Sequence, residues 1–248
     1  MSKSEAIVGM TLVLWACGSV TAVCLQDDFE SYQTQAEFEA AWPRVYTGSS
    51  LALIQGFGRS GQQSVRSEVF STGTHRNYRN LNSFTACQGT DANPLKFEFW
   101  IYVDSSSPSM REYTSLYAYS GDGYGQGSLT GMISMGLYSD YYFDARTLYG
   151  GSSGSSGWIA LSIPRTLGWH RMTALIKSAR VEYYVDGSLG GQDTFQSVAF
   201  DAVVLGSGLT SLGGQSTFYD DIVVAVIPEP ATILLLSLGL VRRKRVSG

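Results

Sequence analysis

The sequence predicts an all-β fold of antiparallel sheets, and two observations support this prediction. Glycine (28 residues) and tyrosine (15 residues) are abundant while charged residues make up only 15% of the 248 residues, a composition typical of strands joined by turns. In Leu95–Val103 the odd-numbered positions are apolar, whereas the even-numbered ones are Lys96, Glu98, Trp100 and Tyr102. Such alternation predicts a strand with one face in a hydrophobic core.

The N-terminal part of the domain is predicted to contain the only helix. A first strand is expected over residues 27–32. Phe38 and Trp42, spaced four apart, then predict one or two helical turns over residues 36–42, which end at Pro43.

The remaining chain reads as strands and turns. The polar residues 76–81 are interpreted as a loop, and the Gly/Ser tract 150–157 as a flexible loop after which strands resume at Trp158. The other predicted strands cover residues 64–70, a short segment near Phe84, and residues 113–120, 132–138 and 141–148.

The segment 167–190 contains the most informative hairpin. Trp169-His170 opens one strand, and the return strand ends in Tyr184-Val185-Asp186-Gly187, of which Asp-Gly predicts a tight turn. With the closing strand around Phe218, this pattern resembles the laminin G-like, concanavalin A-type jelly-roll families. The resemblance covers residues 27–226. It implies an antiparallel two-sheet jelly-roll sandwich whose last strand lies beside the first.

The same resemblance implies a candidate cation site. Jelly rolls of these families often hold a structural Ca²⁺ between the first and last strands, where this chain has Asp28 and Asp220. Calcium requires six to eight oxygen ligands, so these two carboxylates alone do not complete a site. The alternative is that both are ordinary residues of strand-end turns. His170 is interpreted as a hydrogen-bonded packing residue.

Residues 1–22 have the form of a secretory signal peptide. Lys3 precedes the apolar run 6–16, and small residues lead to a cut after Ala22. A buried helix is the alternative, as is a lipoprotein signal at Cys17. After removal of this segment Cys24 and Cys87 remain, either as a disulfide formed in an oxidising compartment or as two buried thiols.

Residues 227–248 contain a three-part pattern. A Pro228-Glu229-Pro230 turn is followed by a short apolar helix over residues 231–241 and by the basic stop Arg242-Arg243-Lys244-Arg245. This pattern resembles the PEP-CTERM sorting tail of bacterial exported proteins, which is read by an exosortase-type membrane transpeptidase. The resemblance implies export to the cell envelope, cell surface or extracellular matrix. An apolar helix of this length rises about 16 Å, roughly half a bilayer core, which fits a transient membrane tether.

The net charge and the absence of known catalytic motifs limit the classes of function that fit the sequence. Residues 23–227 contain 12 Lys and Arg against 19 Asp and Glu, a net charge of −7, which argues against nucleic acid as a partner. The sequence contains no triad order, no His-Glu-x-x-His and no closely spaced carboxylate pair on a strand. We therefore expect a non-catalytic module that binds carbohydrate or structures a matrix, with Trp100, Tyr102 and Tyr117 as sugar-stacking residues. The alternative is a glycan-active jelly-roll enzyme with unrecognised catalytic residues.

Overall fold

The computed structural model describes residues 22–46, 50–69, 75–81, 87–105, 110–138, 141–149, 152–206 and 215–227. Within these residues the chain forms one helix and fourteen strands. In order they are β1 (Ala22–Asp27), α1 (Gln35–Ala41), β2 (Ala52–Gln55), β3 (Gln63–Val69), β4 (Asn77–Asn80), β5 (Leu95–Val103), β6 (Glu112–Tyr119), β7 (Leu129–Leu137), β8 (Tyr142–Tyr149), β9 (Ser152–Pro164), β10 (Gly168–Ile176), β11 (Arg180–Val185), β12 (Ser188–Thr194), β13 (Ala202–Leu205) and β14 (Gln215–Val226).

The strands form two antiparallel sheets that pack face to face. The large sheet has the order β12-β11-β10-β5-β14-β3-β2, with β1 paired to the second half of β14. The small sheet has the order β4-β13-β6-β7-β8-β9. This architecture confirms the predicted all-β, two-sheet jelly-roll sandwich. The antiparallel pairing of the first strand with the last is the one that the family resemblance implied.

Strand β5 lies between β10 and β14 in the large sheet and shows how the core is made. Its odd-numbered residues are buried and its even-numbered residues are half-buried, as the alternation predicted. Phe97 and Phe99 are fully buried between the sheets, with ring centroids 5.3 Å apart. Burying an apolar side chain of this size stabilises the fold by about 1.5–3 kcal/mol.

Helix α1 covers one end of this core. The hydroxyl of Thr34 accepts a hydrogen bond from the backbone N–H of Glu37 (3.2 Å) and caps the first turn. Phe38 and Trp42 are fully buried with their rings stacked, 6.5 Å between centroids. The predicted helix is therefore present, beginning at Gln35 and ending at Ala41.

A buried carboxylate at the end of β1 links the two sheets. Asp27 accepts hydrogen bonds from the hydroxyl of Tyr32 (2.5 Å) and from the indole N–H of Trp42 (2.9 Å). It also forms an ion pair with Arg79 of β4. Burial and the bond to Asp27 raise the pKa of Tyr32 to about 12. Because β1 belongs to the large sheet and β4 to the small one, this cluster holds the sheets together.

A disulfide adds a covalent link to β1. Cys24 is bonded to Cys87, with their Cα atoms 6.0 Å apart and a sequence separation of 63. The carbonyl of Cys87 accepts a hydrogen bond from the backbone N–H of Phe200 (3.0 Å), two residues before β13. The disulfide therefore ties the first strand to a segment next to the small sheet.

The structure corrects three of the predicted elements. The first strand ends at Asp27, where the prediction began it, and a turn follows. Residues 77–80, interpreted as loop, form β4. Residues 152–157 of the Gly/Ser tract, which was interpreted as a flexible loop, belong to β9, and this strand pairs with β8 through Ser152 and Ser153. A Gly/Ser segment has no alternation of apolar and polar side chains, so the sequence pattern does not reveal this strand. Its pairing depends on backbone hydrogen bonds.

Both predicted targeting segments fall outside the described residues. The signal peptide lies within residues 1–21 apart from Ala22, which is the first residue of β1. The sorting tail, from Pro228-Glu229-Pro230 to Arg242-Arg243-Lys244-Arg245, lies within residues 228–248. Both stay predictions. Across the part of the chain that the structure describes, no helix is long and apolar enough to cross a membrane.

Candidate functional site

Trp100 and Tyr102 lie on the outer face of the large sheet, where the loop of residues 56–62 covers them. Phe57 of this loop contacts Tyr102 (5.1 Å between centroids) and also the rings of Trp169 and Phe218. The guanidinium carbon of Arg59 lies 4.1 Å from the ring centroid of Trp100. These two predicted stacking residues are therefore packed against their own chain.

Asp220 anchors the same loop. Its carboxylate accepts hydrogen bonds from the backbone N–H groups of Arg59 (2.6 Å) and Asp221 (2.8 Å). The residue is buried, and burial raises the pKa of Asp220 to about 6. Its oxygens thus already hold the backbone that crosses Trp100.

Asp28, the other predicted cation ligand, is exposed and caps a local turn by accepting a hydrogen bond from the backbone N–H of Glu30 (3.2 Å). Among the described residues, no three His, Cys, Asp or Glu side chains are grouped as metal ligands would be. A calcium site at Asp28 and Asp220 stays a prediction.

Tyr117 lies on the other sheet, and its outer face carries most of the candidate functional side chains. Residues directly opposite one another in antiparallel strands share a face, and the register gives one continuous row across all six strands of the small sheet. The row consists of Tyr78, Val204, Ser115, Ser134, Arg146 and Trp158. The residues at the centre of this row have small side chains and those toward its ends have large ones. The large side chains therefore project from the sheet on either side of a lower central floor.

At one end of the face, four tyrosines pack around an arginine. Tyr78 stacks on Tyr124 with 4.6 Å between centroids, and Tyr124 meets the edges of Tyr117 (5.8 Å) and Tyr119 (5.6 Å). Arg76 donates a hydrogen bond from Nη2 to the hydroxyl of Tyr117 (2.8 Å). All of these side chains are half-buried, so their rings keep part of their surface open to solvent.

The turn before β7 delivers Tyr124 to this group. The backbone N–H of Tyr124 donates to the side-chain oxygen of Asn80 (2.9 Å). Gly125 follows with φ +74°, a conformation that glycine adopts without a steric penalty. The Gly-rich stretch 121–127 therefore positions an aromatic side chain.

A second aromatic group occupies the other end of the face. Trp158 stacks on Tyr138 with 4.4 Å between centroids and an angle of 10° between planes, and lies 4.7 Å from Tyr113. The guanidinium carbon of Arg111 lies 5.0 Å from the ring centroid of Tyr138, within the range of a cation–π contact.

Gly136, opposite Tyr113, has φ +149°. A Cβ at this position would lie 2.4 Å from the carbonyl oxygen of Glu112 and 2.7 Å from the Cα of Tyr113. Only glycine therefore fits beside the strand that carries the tyrosines.

We call this surface the aromatic face and define it as Tyr78, Tyr113, Tyr117, Tyr119, Tyr124, Tyr138, Trp158, Arg76, Arg111 and Arg146. Ser115 and Ser134 form its floor, with their hydroxyl oxygens 2.6 Å apart. Burial raises the pKa of Tyr113 to about 12, and burial also raises the pKa values of Tyr119 and Tyr124. These three phenols therefore stay neutral near pH 7, able to donate and to accept hydrogen bonds.

Two strand carboxylates that could serve as catalytic groups already have partners. Glu98 accepts hydrogen bonds from Lys96 (2.9 Å) and Thr173 (3.0 Å) on the large sheet. Glu182 accepts hydrogen bonds from Lys177 (3.2 Å) and Arg180 (2.9 Å).

Next to the aromatic face lies one further acidic residue, Asp201. It accepts a hydrogen bond from the backbone N–H of Tyr119 (2.5 Å). Burial, followed by the charge of Asp122, raises the pKa of Asp201. Asp201 and Asp122 therefore lie at the end of the face that holds Tyr119 and Tyr124.

His170 uses both of its ring nitrogens inside the fold. Nδ1 lies 2.8 Å from a carboxylate oxygen of Asp186, and Nε2 lies 2.9 Å from the carbonyl oxygen of Thr166. Asp186 and Gly187 both have positive φ, +52° and +84°, as the predicted tight turn requires. The arrangement agrees with the interpretation of His170 as a packing residue.

The chain is thus a two-sheet, antiparallel jelly-roll sandwich with one covered and one aromatic outer face. Its sequence matches no protein-family profile and no curated protein. Solved structures do match. One is a carbohydrate esterase from the Shiga toxin-encoding bacteriophage phi24B, at 13% identity and TM-score 0.60, covering 84% of this chain and all of that one.

Two further matches have other roles. A CBM2 module from the Dit protein of Lactobacillus casei BL23 phage J-1 is 14% identical with TM-score 0.51, covering 84% of this chain and 96% of that one. The β-glucanase of Bacillus licheniformis is 15% identical with TM-score 0.50, covering 84% of this chain and 98% of that one. Similarity at this level of identity establishes the shared fold.

Proposed function

We propose that the chain is an exported, non-catalytic protein whose jelly-roll domain binds carbohydrate through the aromatic face. The observation that carries the proposal is the pair of aromatic groups that flank the Ser115 and Ser134 floor on the small sheet. Sugar rings have apolar faces that stack on aromatic side chains. Their hydroxyls need hydrogen-bond partners, which neutral phenols and guanidiniums supply.

The placement of side chains supports the small sheet over the large one. On the large sheet, Phe57 and Arg59 already occupy the surfaces of Tyr102 and Trp100. On the small sheet, the tyrosines contact one another and arginines, and each keeps part of its surface exposed. The matched carbohydrate esterase, CBM2 module and β-glucanase are consistent with a carbohydrate ligand.

The test is affinity electrophoresis of the full chain in gels that contain a panel of polysaccharides. We expect retardation by at least one polysaccharide. In Trp158→Ala and Tyr124→Ala the dissociation constant should rise roughly two- to tenfold, because one aromatic contact contributes about 0.5–1.5 kcal/mol. Trp169→Ala, which removes a half-buried aromatic ring from the outer face of the large sheet, is the matched control and should bind like the wild type. Equal losses in all three variants would refute the assignment to the small sheet.

A glycan-active enzyme is the second candidate, because Asp201 and Asp122 lie beside the tyrosines and the pKa of Asp201 is raised. A carboxyl with a raised pKa near a second carboxylate is what glycoside hydrolysis uses. Assay of reducing sugar release separates the two functions. The binding proposal expects no release. Release that is lost in Asp201→Asn and kept in Glu98→Gln would establish the enzyme instead.

Export is a separate part of the proposal and rests on the resemblance of residues 227–248 to a PEP-CTERM tail. The exosortase-type transpeptidase would be the partner, and the tail would hold the protein briefly at the membrane. Deletion of residues 228–248 is expected to release the protein into the medium. A truncated chain that stays cell-associated to the same extent would contradict this role.

A further inference from the structure

We propose that the aromatic face selects acidic polysaccharides, with carboxylate or sulfate groups bound by Arg76, Arg111 and Arg146. This inference rests on the proposed carbohydrate function and adds the ligand class. Its basis is that three cations stand on one face of a domain whose net charge is −7.

These three arginines differ from many other basic residues of the domain, which form ion pairs with carboxylates. Many basic side chains lie against a carboxylate, as in Arg44 with Glu39, Arg79 with Asp27, and Arg165 with Asp144. Within the described residues, none of the three arginines of the aromatic face forms an ion pair. Asp144 shares this outer face, but its carboxylate is held by Arg165 at 2.9 Å.

Aromatic residues contact two of the three arginines, and the third lies between an aromatic and a small residue in the sheet. Arg76 bonds the hydroxyl of Tyr117, and Arg111 lies over the ring of Tyr138. Arg146 on β8 is directly opposite Trp158 on β9 and Ser134 on β7. Aromatic contacts of this kind orient a guanidinium without neutralising its charge.

The Nε atom of each arginine is buried and, within the described residues, has no hydrogen-bond acceptor. Because Nε is buried, a ligand reaches only the solvent-accessible part of each half-buried arginine. Carboxylate and sulfate oxygens bind that part more strongly than sugar hydroxyls do, because guanidinium hydrogen bonds to anions are charge-assisted and can be bidentate. An anionic sugar therefore gains more from this face than a neutral sugar of the same shape.

The two ends of the face differ in charge. Asp201 and Asp122 lie at the end with Tyr119 and Tyr124, whereas Arg111 lies at the end with Tyr138 and Trp158. We therefore place the anionic groups of the ligand mainly at Arg111 and Arg146, toward the Trp158 end. Arg76, at the end with Asp201 and Asp122, contributes less to anion binding.

The experiment compares polymers that differ only in charge. Binding of the full chain is measured by isothermal titration calorimetry with polygalacturonate and its methyl ester, and with dextran sulfate and dextran. The acidic member of at least one pair is expected to bind at least tenfold more tightly. Arg111→Gln and Arg146→Gln should lose most of this preference, because the affinity for the acidic member should fall much further than the affinity for the neutral one. Arg171→Gln, on the outer face of the large sheet, is the matched control and should keep it.

The outcomes separate this inference from the function on which it rests. Tighter or equal binding of the neutral polymers by the wild type, or a preference that survives in both arginine variants, would overturn the acidic selectivity and leave carbohydrate binding intact. No binding to any polymer in these pairs or in the electrophoresis panel would overturn both. Arg146→Lys keeps the charge and loses the planar fork. This variant should therefore retain part of the preference. If Arg146 were needed only for folding, the substitution would instead lower the unfolding midpoint.

Discussion

The carboxylate of Asp27 at the end of β1 forms an ion pair with the guanidinium of Arg79 on β4, so one charge pair joins the two sheets of the sandwich. The Asp27 side chain is almost fully buried while Arg79 is about one third exposed. The hydroxyl of Tyr32 and the indole of Trp42 complete the hydrogen bonding of the carboxylate. This cluster fixes where β4 meets the first strand.

Asp27→Asn should destabilise the domain by about 2–3 kcal/mol, because Arg79 loses its counter-charge in a largely buried cluster. The loss is limited because Arg79 keeps partial access to water. Urea unfolding measures the change. Glu39→Gln, which breaks the exposed pair with Arg44, is the control and should cost less than about 1 kcal/mol. Equal effects in the two variants would show that the cluster does not link the sheets.

The Cys24–Cys87 disulfide closes a segment of 63 residues. Loop-closure entropy predicts a loss of about 4 kcal/mol for Cys24→Ser/Cys87→Ser, mainly through the unfolded chain. Unfolding of the wild type with a reductant should give the same midpoint as the variant without one. A reductant that lowers the midpoint of both proteins alike would assign the effect to something other than this bond.

Stability should depend on the protonation of Asp220. Its pKa is raised from 3.8 to about 6 by burial, so folding favours the protonated carboxyl. The contribution of this group is complete below pH 3.8 and declines as the pH rises through about 6. Measured against the non-titrating Asp220→Asn, the wild type should therefore be relatively more stable at pH 4 than at pH 7. A difference that is constant across this interval would contradict the shift.

Gly136→Ala should destabilise the small sheet by at least about 3 kcal/mol, because its Cβ would meet rigid backbone in addition to the strained φ. The resulting shift of β6 should also weaken polysaccharide binding through Tyr113. Gly125→Ala places a Cβ at positive φ in open space and should cost only about 1–2 kcal/mol. Thermal unfolding of both variants tests the difference.

The sequence predicted strands best where inward-facing side chains are apolar and outward-facing side chains are mostly polar. β5 has the predicted bounds because its apolar residues face inward. β4 was missed because its pattern is reversed. The inward Asn77 bonds the carbonyl of Trp42 (2.7 Å) and the backbone N–H of Leu51 (2.8 Å), while the outward Tyr78 is aromatic. A polar residue that is satisfied by partners distant in sequence cannot be recognised from local periodicity.

The candidate site was partly within reach of the sequence. Tyr113, Tyr117 and Tyr119 share the parity of one strand face, and this spacing alone is enough to group them. Trp100 and Tyr102 were placed correctly on one face of β5, but nothing local reveals that Phe57 and Arg59 cover them. The position of Tyr124 depends on the turn around Gly125 and on Asn80, forty-four residues away.

The register of β1 with β14 places Ala22 opposite Val226. The chain therefore enters and leaves the domain at neighbouring points of the large sheet, and any flanking segments would be attached at the same place on the domain. The aromatic face belongs to the other sheet. A tether or a fused partner at either end would leave that face unobstructed, and the domain could pivot about its attachment to meet a polymer from many directions.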